Sequence, residues 1–282
     1  MIFNLHTHTN FSDGSSDPEE YIKEAVSQGF DALGFSDHAP VSFKNTFAIG
    51  EEKLEEYVST ILELRKLYSS PSILLALEVD YIPGITTPFD FYRNNYPFDY
   101  LIGSIHLVKN EDPDKLWFID GPDISIYDNG LQEVFSGDIK KAVTSYYLQI
   151  QEMITTQKPD IIGHPDKIKM YNRGRYFQEN DPWYVRLVDE TLDLIKDSGS
   201  VIEVNTRGIY KKRSDTLFPG PEILKKIHQL NIPVTISSDA HKPHEISLYF
   251  EETRVILKEI GFKGVWLKTG EGWTEVPLMS NE

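Results

Sequence analysis

Seven short apolar runs rich in β-branched residues, most of them followed by a helical pattern, recur along this chain and point to parallel βαβ architecture. The strand candidates are residues 2–6, 32–37, 73–80, 99–106, 160–164, 200–205 and 233–238. Helical patterns cover 18–28, 51–68, 138–157, 182–198, 221–230 and 246–260. Asp17-Pro18-Glu19-Glu20 and Asp181-Pro182 supply helix-start signals, with an acidic or polar cap residue and proline at the first helical position. Parallel neighbours need long crossovers, and the helices provide them. A chain of 282 residues suits one large α/β barrel or two modest domains. No G-x-G-x-x-G or P-loop follows any strand, which argues against a nucleotide-binding doubly wound sheet. The tail 262–278 reads differently, as two short strands around Gly270-Glu271-Gly272, and is expected to form a terminal hairpin.

The loops 39–50, 81–98, 107–137, 165–181 and 206–220 are long, and most follow strands. In a parallel barrel such loops crowd the C-terminal face, where active sites lie. The acidic 107–137 stretch is expected to serve as a lid or an oligomer contact.

Six of the eight histidines stand at or just beyond strand ends: His6, His8, His38, His106, His164 and His241. Asp13, Glu78 and Asp239 share that placement. His6 and His8 are two apart on an extended segment, so their rings point the same way, and Asp239 and His241 repeat the spacing. Scattered histidines are mostly surface or core groups, but parallel strand ends converge on one cavity. Nine donors exceed the capacity of one ion, so two or three divalent ions are expected. The chain has no cysteine, which excludes disulfides and thiolate ligands and leaves imidazole and carboxylate, donors that suit Zn²⁺, Mn²⁺ or Fe²⁺. A closed structural site would use four tightly spaced ligands, whereas these span residues 6 to 241.

The formal net charge of −16 disfavours non-specific nucleic-acid binding. No run is long and apolar enough to span a bilayer, and the N-terminal MIFNLHTHTN lacks a leader pattern, so a cytoplasmic enzyme without membrane contact is expected.

The order of motifs N-L-H-T-H-T, S-D-H at 36–38, A-L-E-V-D-Y at 76–81, G-S-I-H at 103–106, G-H-P-D at 163–166, E-V-N-T at 203–206 and S-S-D-A-H at 237–241 resembles the polymerase and histidinol phosphatase (PHP) superfamily. The length and the E-V-N-T-R-G-I-Y-K-K run are similar to its stand-alone histidinol-phosphate phosphatases. The resemblance implies an α/β fold, a distorted seven-stranded (β/α)7 barrel with a C-terminal hairpin, in one domain over 1–282. It implies three metal ions: His6, His8, Glu78 and Asp239 at the first, with Glu78 bridging to a second held by His106 and His164. Asp13, His38 and His241 complete the third, where some relatives carry His in place of the Asp13-Gly14 pair offered here.

The activity implied is metal-dependent hydrolysis of L-histidinol phosphate, with Glu78, Asp239 and His241 catalytic and a small phosphate ester as partner. Arg207, Arg175 and Asn205 are the candidate substrate contacts, within the basic loops carrying Arg173, Lys211, Lys212 and Arg213. Asp37, Asp80 and Asp166 either orient metal-bound histidines, or cap the next helix or face solvent. Tyr81, Tyr171, Tyr176 and Tyr210 flank an imidazole ring or pack as ordinary aromatics. The alternatives are another PHP phosphoesterase, including a nucleotide or sugar phosphatase or an exonuclease, and a regulatory module that kept the metals. Amide hydrolysis is disfavoured because no lysine is placed at a strand end to form a carbamylated bridge.

Overall fold

The computed structural model describes residues 1–112 and 115–278. In chain order its main elements are β1 (Phe3–Asn4), α1 (Pro18–Ser27), β2 (Ala32–Phe35), α2 (Leu54–Leu67), β3 (Ser72–Asp80), α3 (Phe89–Asn95) and β4 (Tyr100–Ser104). Then follow β5 (Leu107–Lys109), β6 (Leu116–Phe118), α4 (Ile124–Phe135), α5 (Ile139–Gln157), β7 (Ile161–Ile162), α6 (Pro182–Ser198) and β8 (Val201–Asn205). The chain ends with α7 (Arg207–Tyr210), α8 (Pro221–Gln229), β9 (Val234–Ser237), α9 (Phe250–Ile260), β10 (Gly264–Thr269) and β11 (Gly272–Pro277).

Seven parallel strands follow the order β1-β2-β3-β4-β7-β8-β9. The ends of this sheet meet above β1, where Thr7 bridges Ala240 in parallel, His8 N donates to Ala240 O (2.8 Å) and Ala240 N donates to His6 O (3.2 Å). The result is the distorted seven-stranded β/α barrel. Its strands are buried on both faces, as covered parallel strands must be, so they read as nearly continuous apolar runs. The β10–β11 pair is the antiparallel terminal hairpin, in register from Gly264↔Pro277 to Thr269↔Gly272, and it buries Val265, Leu267 and Val276.

Asp17 and Asp181 precede α1 and α6 as expected, but neither side chain caps its helix. Asn10 donates to the Asp17 carboxylate, and Gln178 N donates to Asp181 Oδ2 (3.0 Å). The acidic 107–137 stretch, whose residues 113 and 114 lie outside the described residues, carries more structure than a loop. It contains the β5–β6 hairpin (Leu107↔Phe118, Lys109↔Leu116) and α4, whose cap residue Asp123 accepts from Ser125 N (2.7 Å). Trp117 and Tyr127 are fully buried between them. Three-residue strands and a helix whose sequence carries Gly130 at mid-span fall below what periodicity resolves. No helix among the described residues is long and apolar enough to cross a membrane.

Candidate metal centre and active site

The nine donors singled out in the sequence meet at the C-terminal mouth of the barrel. His6 and His8 leave β1, and Glu78 lies near the end of β3. His106 follows β4, His164 follows β7, and Asp239 and His241 follow β9. Glu78 faces five imidazoles. Its Oε2 is 3.2 Å from His6 Nε2, 3.4 Å from His8 Nε2 and 3.1 Å from His38 Nδ1. Its Oε1 is 3.1 Å from His164 Nε2 and 3.8 Å from His106 Nε2. The two oxygens of one carboxylate thus address two different imidazole sets. Asp239 Oδ1 lies 3.4 Å from His8 Nε2 and 3.9 Å from His6 Nε2, while Asp13 Oδ1 lies 3.2 Å from His241 Nε2 and 4.0 Å from His38 Nε2.

Four sets have ligand atoms mutually within 4.8 Å: His6, His8 and Asp239; Glu78, His106 and His164; His8, Asp13, His38 and His241; and His38, Asp80 and His106. Within them His6 Nε2, both nitrogens of His8, His38 Nδ1 and Asp80 Oδ2 are buried without a hydrogen-bond partner. Orphaned polar atoms at this density are costly unless something else takes their lone pairs. Borderline-soft imidazoles interleaved with carboxylates are the donor set of divalent transition metals, and the site fits them.

Electrostatics agrees. Burial opposes the charge on Glu78 and Asp239, yet the neighbouring imidazoles, with Arg207 and Lys167 beside Asp239, hold both carboxylates well below their ordinary range. Burial likewise opposes protonation of His106, but Asp80 and Glu78 raise it to about 9, and Glu203, Glu78 and Asp239 raise His6. Burial lowers His8, His38 and His164 instead, which favours their neutral, ligating form.

Two backbone features maintain this geometry. His164 (φ 25°) and Asp239 (φ 51°) both occupy the left-handed region, a strain of roughly 1–3 kcal/mol each that the surrounding packing must offset. A Cβ at Gly14 would lie 2.1 Å from His8 O, so only glycine lets the Asp13 loop approach the β1 segment this closely.

Behind the donors is a carboxylate to which the sequence reading gave no role. Glu203, fully buried on β8, puts Oε1 2.5 Å from His6 Nδ1 and 2.7 Å from Ser237 Oγ. Its Oε2 accepts from His164 N (2.8 Å) and Asn205 Nδ2 (3.2 Å). It sits within the quoted E-V-N-T run, at a strand position whose inward direction was the available signal. Asp80 orients His106, accepting from its backbone N (2.9 Å) and lying 3.0 Å from its Nδ1. Asp37 instead ties down the first loop, through Thr9 N (2.7 Å) and Ser12 Oγ (2.6 Å). Asp166 pairs with Lys169 (2.7 Å) and accepts from Gly220 N (2.9 Å).

A cavity of about 200 Å³ opens over the donors, with Phe47, Phe118, Asp120, Pro122, Lys167, Arg207 and Arg213 also in its walls. Of the proposed substrate contacts, Arg207 reaches it, donating from Nη1 to Asp239 O (2.6 Å). Arg175 does not; it forms a two-pronged pair with Asp128 (2.8 and 2.9 Å) and also donates to Tyr171 O. Asn205 sits behind the wall, with its Nδ2 3.3 Å from Asp239 Oδ2 and its Oδ1 accepting from Arg207 N. Among the other basic residues Arg213 lines the cavity, Lys211 pairs with Glu245, and Arg173 donates to Lys212 O. A larger 610 Å³ cleft on the barrel flank, bordered by Arg173 and Tyr184, contains none of the donors. The four tyrosines line no part of the donor cavity: Tyr210 donates to Ser238 O, Tyr171 to Gly121 O, Tyr81 to Glu152 and Tyr176 to Asp128.

The sequence reading considered lysines only at strand ends, and one reaches the site from beyond a strand. Lys167, three residues past His164, is buried with Nζ 2.6 Å from Asp120 Oδ2, 3.2 Å from His106 Nε2 and 3.7 Å from Asp239 Oδ2. The short β7 and the turn after it, rather than a strand end, carry it inward. Burial works against its charge, but Asp120, Asp239 and Glu78 raise its pKa. An ammonium held this way is a poor candidate for carbamylation, which requires a neutral amine.

Known proteins resemble the chain over nearly its full length. A histidinol-phosphatase of Bacillus subtilis is 28% identical over 87% of this chain and 96% of its own. A protein described as a probable histidinol-phosphatase in Clostridium acetobutylicum is 30% identical over 95% and 97%. The crystal structure of a Lactococcus lactis histidinol phosphate phosphatase, complexed with zinc, L-histidinol and phosphate, shares the fold with a TM-score of 0.69 at 20% identity, over 96% of this chain and 98% of that one. The family model of the PHP domain matches residues 4–207, the segment that carries every donor but Asp239 and His241, and the chain belongs to the PHP domain family.

Proposed function

We propose that this protein is a metal-dependent phosphomonoesterase that hydrolyses L-histidinol phosphate to L-histidinol and phosphate. The observation that carries this reading is a cluster of nine metal-type donors, six of which (Asp13, His38, Glu78, His106, Asp239 and His241) line one small cavity together with the cations Lys167, Arg207 and Arg213. The full-length relatives named for this activity support it.

His6, His8, Glu78 and Asp239 would hold one ion, Glu78, His106 and His164 a second, and Asp13, His38 and His241 a third, with His8 also within reach of the last set. Divalent ions bound there supply Lewis acidity, withdrawing charge from phosphoryl oxygens and making water a better nucleophile at neutral pH. The chain's own residues do the rest. Arg207 and Lys167 offer charge-assisted donors to the phosphate, and Arg213 widens that field. Glu203 and Asp80 hold the rings of His6 and His106 in one orientation. Asp239, held as a carboxylate, is a poor proton donor. His241, with Nδ1 3.0 Å from Asp239 O and Nε2 turned to the Asp13 set, serves as a ligand of the third ion with its ring orientation fixed by that carbonyl.

The net charge of −16 supports a small phosphate ester rather than nucleic acid as substrate, and a biosynthetic role of this kind belongs in the cytoplasm. The test is phosphate release from histidinol phosphate, p-nitrophenyl phosphate, nucleotides and single-stranded DNA by metal-analysed protein. Preference for histidinol phosphate is expected. Cleavage of DNA or nucleotides with histidinol phosphate left intact would overturn the reading.

A further inference from the structure

The cavity has one wall that phosphate and metal ions do not explain. Phe47 and Phe118 are both only partly buried, and both border the donors. Their rings are nearly parallel (16°), with centroids 6.3 Å apart, and the Phe47 ring also meets His38 edge-on at 5.4 Å. They come from different parts of the chain, the loop after β2 and the second strand of the β5–β6 hairpin.

Both rings are fixed relative to the donors. Asn45 Oδ1 accepts from Phe47 N (3.0 Å) and Ala48 N (2.7 Å), and Ile49 N donates to His38 O (3.0 Å). Phe118 pairs with Leu107, and Ile119 N donates to His106 O (3.0 Å). Each phenyl group is thus tied to the backbone of a histidine in the metal centre. Two residues beyond Phe118, Asp120 brings a carboxylate into the same cavity lining, where it meets the cations Lys167 (2.6 Å) and Arg213 (3.5 Å).

Partly exposed phenyl rings lose free energy in a cavity that otherwise holds ions, unless an apolar or π-bearing group covers them. Phosphate cannot do so, which leaves the alcohol half of the substrate. We propose that Phe47 and Phe118 form the specificity platform of this enzyme, binding a planar, cation-capable ring on the alcohol of a phosphomonoester. This deepens the histidinol-phosphate reading and rests on it: the imidazole of that substrate is such a ring, and its positive form gains from the aromatic quadrupoles as well as from Asp120.

The experiment compares kcat/KM for histidinol phosphate with that for 2-aminoethyl phosphate, which keeps the amine and phosphate but lacks the ring. It uses metal-loaded wild type, Phe47→Leu, Phe118→Leu and the conservative Phe118→Tyr. Leucine retains apolar bulk and removes only the ring, so the ratio between the two substrates should fall about tenfold in each leucine variant, mostly through KM. Phe118→Tyr should restore it. A ratio equal to wild type in both leucine variants, or parallel losses on both substrates, would overturn the platform. Wild type without activity on histidinol phosphate would instead overturn the functional reading. The same variants compared on benzyl and ethyl phosphate would then decide the platform alone, since a ring preference that the leucine variants retain refutes it.

Discussion

A carboxylate buried among five imidazoles, as Glu78 is, can serve two cation sites only if its oxygens diverge, and here Oε1 and Oε2 approach different rings. Glu78→Ala should therefore remove more bound metal and more turnover than Asp13→Ala, whose carboxylate is about one-third exposed and closest to His241. Metal analysis of both variants beside kcat checks this, and a Glu78 variant with wild-type metal content and turnover would refute the bridge. Glu203→Gln keeps the shape but removes the charge facing His6 Nδ1. It should lower metal affinity or activity by about 10- to 100-fold, read by metal titration. Arg207→Ala should cost about 1.5–3 kcal/mol, or roughly 10- to 150-fold in kcat/KM, for a lost charge-assisted contact. Because Arg207 also donates to Asp239 O, metal content must be measured in the same sample. Full metal with impaired turnover identifies a phosphate contact, whereas metal lost in proportion shows that Arg207 acts through Asp239.

At the scale of elements, the β5–β6 hairpin and α4 decide the shape of the cavity mouth, because Phe118 and Asp120 follow directly from Trp117. Trp117 Nε1 donates to Tyr127 O (2.9 Å), and its ring lies against Gly130. A Cβ at Gly130 would sit 2.3 Å from Trp117 Cδ1. Glycine to alanine inside an exposed helix gains up to ~1 kcal/mol from propensity alone. Here the clash with a fully buried ring should outweigh that gain and leave Gly130→Ala destabilised by about 1–3 kcal/mol. The denaturation midpoint measures the sign, and hydrogen exchange should show the loss concentrated in β6 and α4. A stabilised variant would mean that Trp117 can move aside freely.

For the whole molecule, closing the barrel gathers buried carboxylates and imidazoles that had been far apart in the chain, within a protein of net charge −16. Cations that bind only the folded state stabilise it by mass action, about 2.7 kcal/mol for each site at a free concentration of 100 times Kd. Removing metal with a chelator should abolish phosphatase activity and lower the melting temperature by roughly 5 °C or more. Adding back Mn²⁺, Zn²⁺ or Fe²⁺ should restore both. Full activity in protein shown to be metal-free would dismiss the metal centre as the catalyst.

The strand–helix alternation and the donors at strand ends were legible in the sequence, because parallel strands in a barrel all end at one face. A residue such as His106 or Asp239 is therefore assigned to that face by its position along its own strand. The sequence by itself thus determined the parallel strand–helix alternation and, through its family resemblance, the barrel, and it put nine imidazoles and carboxylates at one face. Only the tertiary structure decided what the loops contribute. Lys167 turns inward beside His164 while Arg175 turns away to Asp128, and Phe47 meets Phe118 across separate loops. Glu203 belongs to a strand, yet no local pattern marks it, since its importance lies in reaching His6, 197 residues away. The physical reason is the same in each case. Strand periodicity sets a side chain's direction locally, whereas a loop side chain points where packing and hydrogen bonds from distant segments hold it.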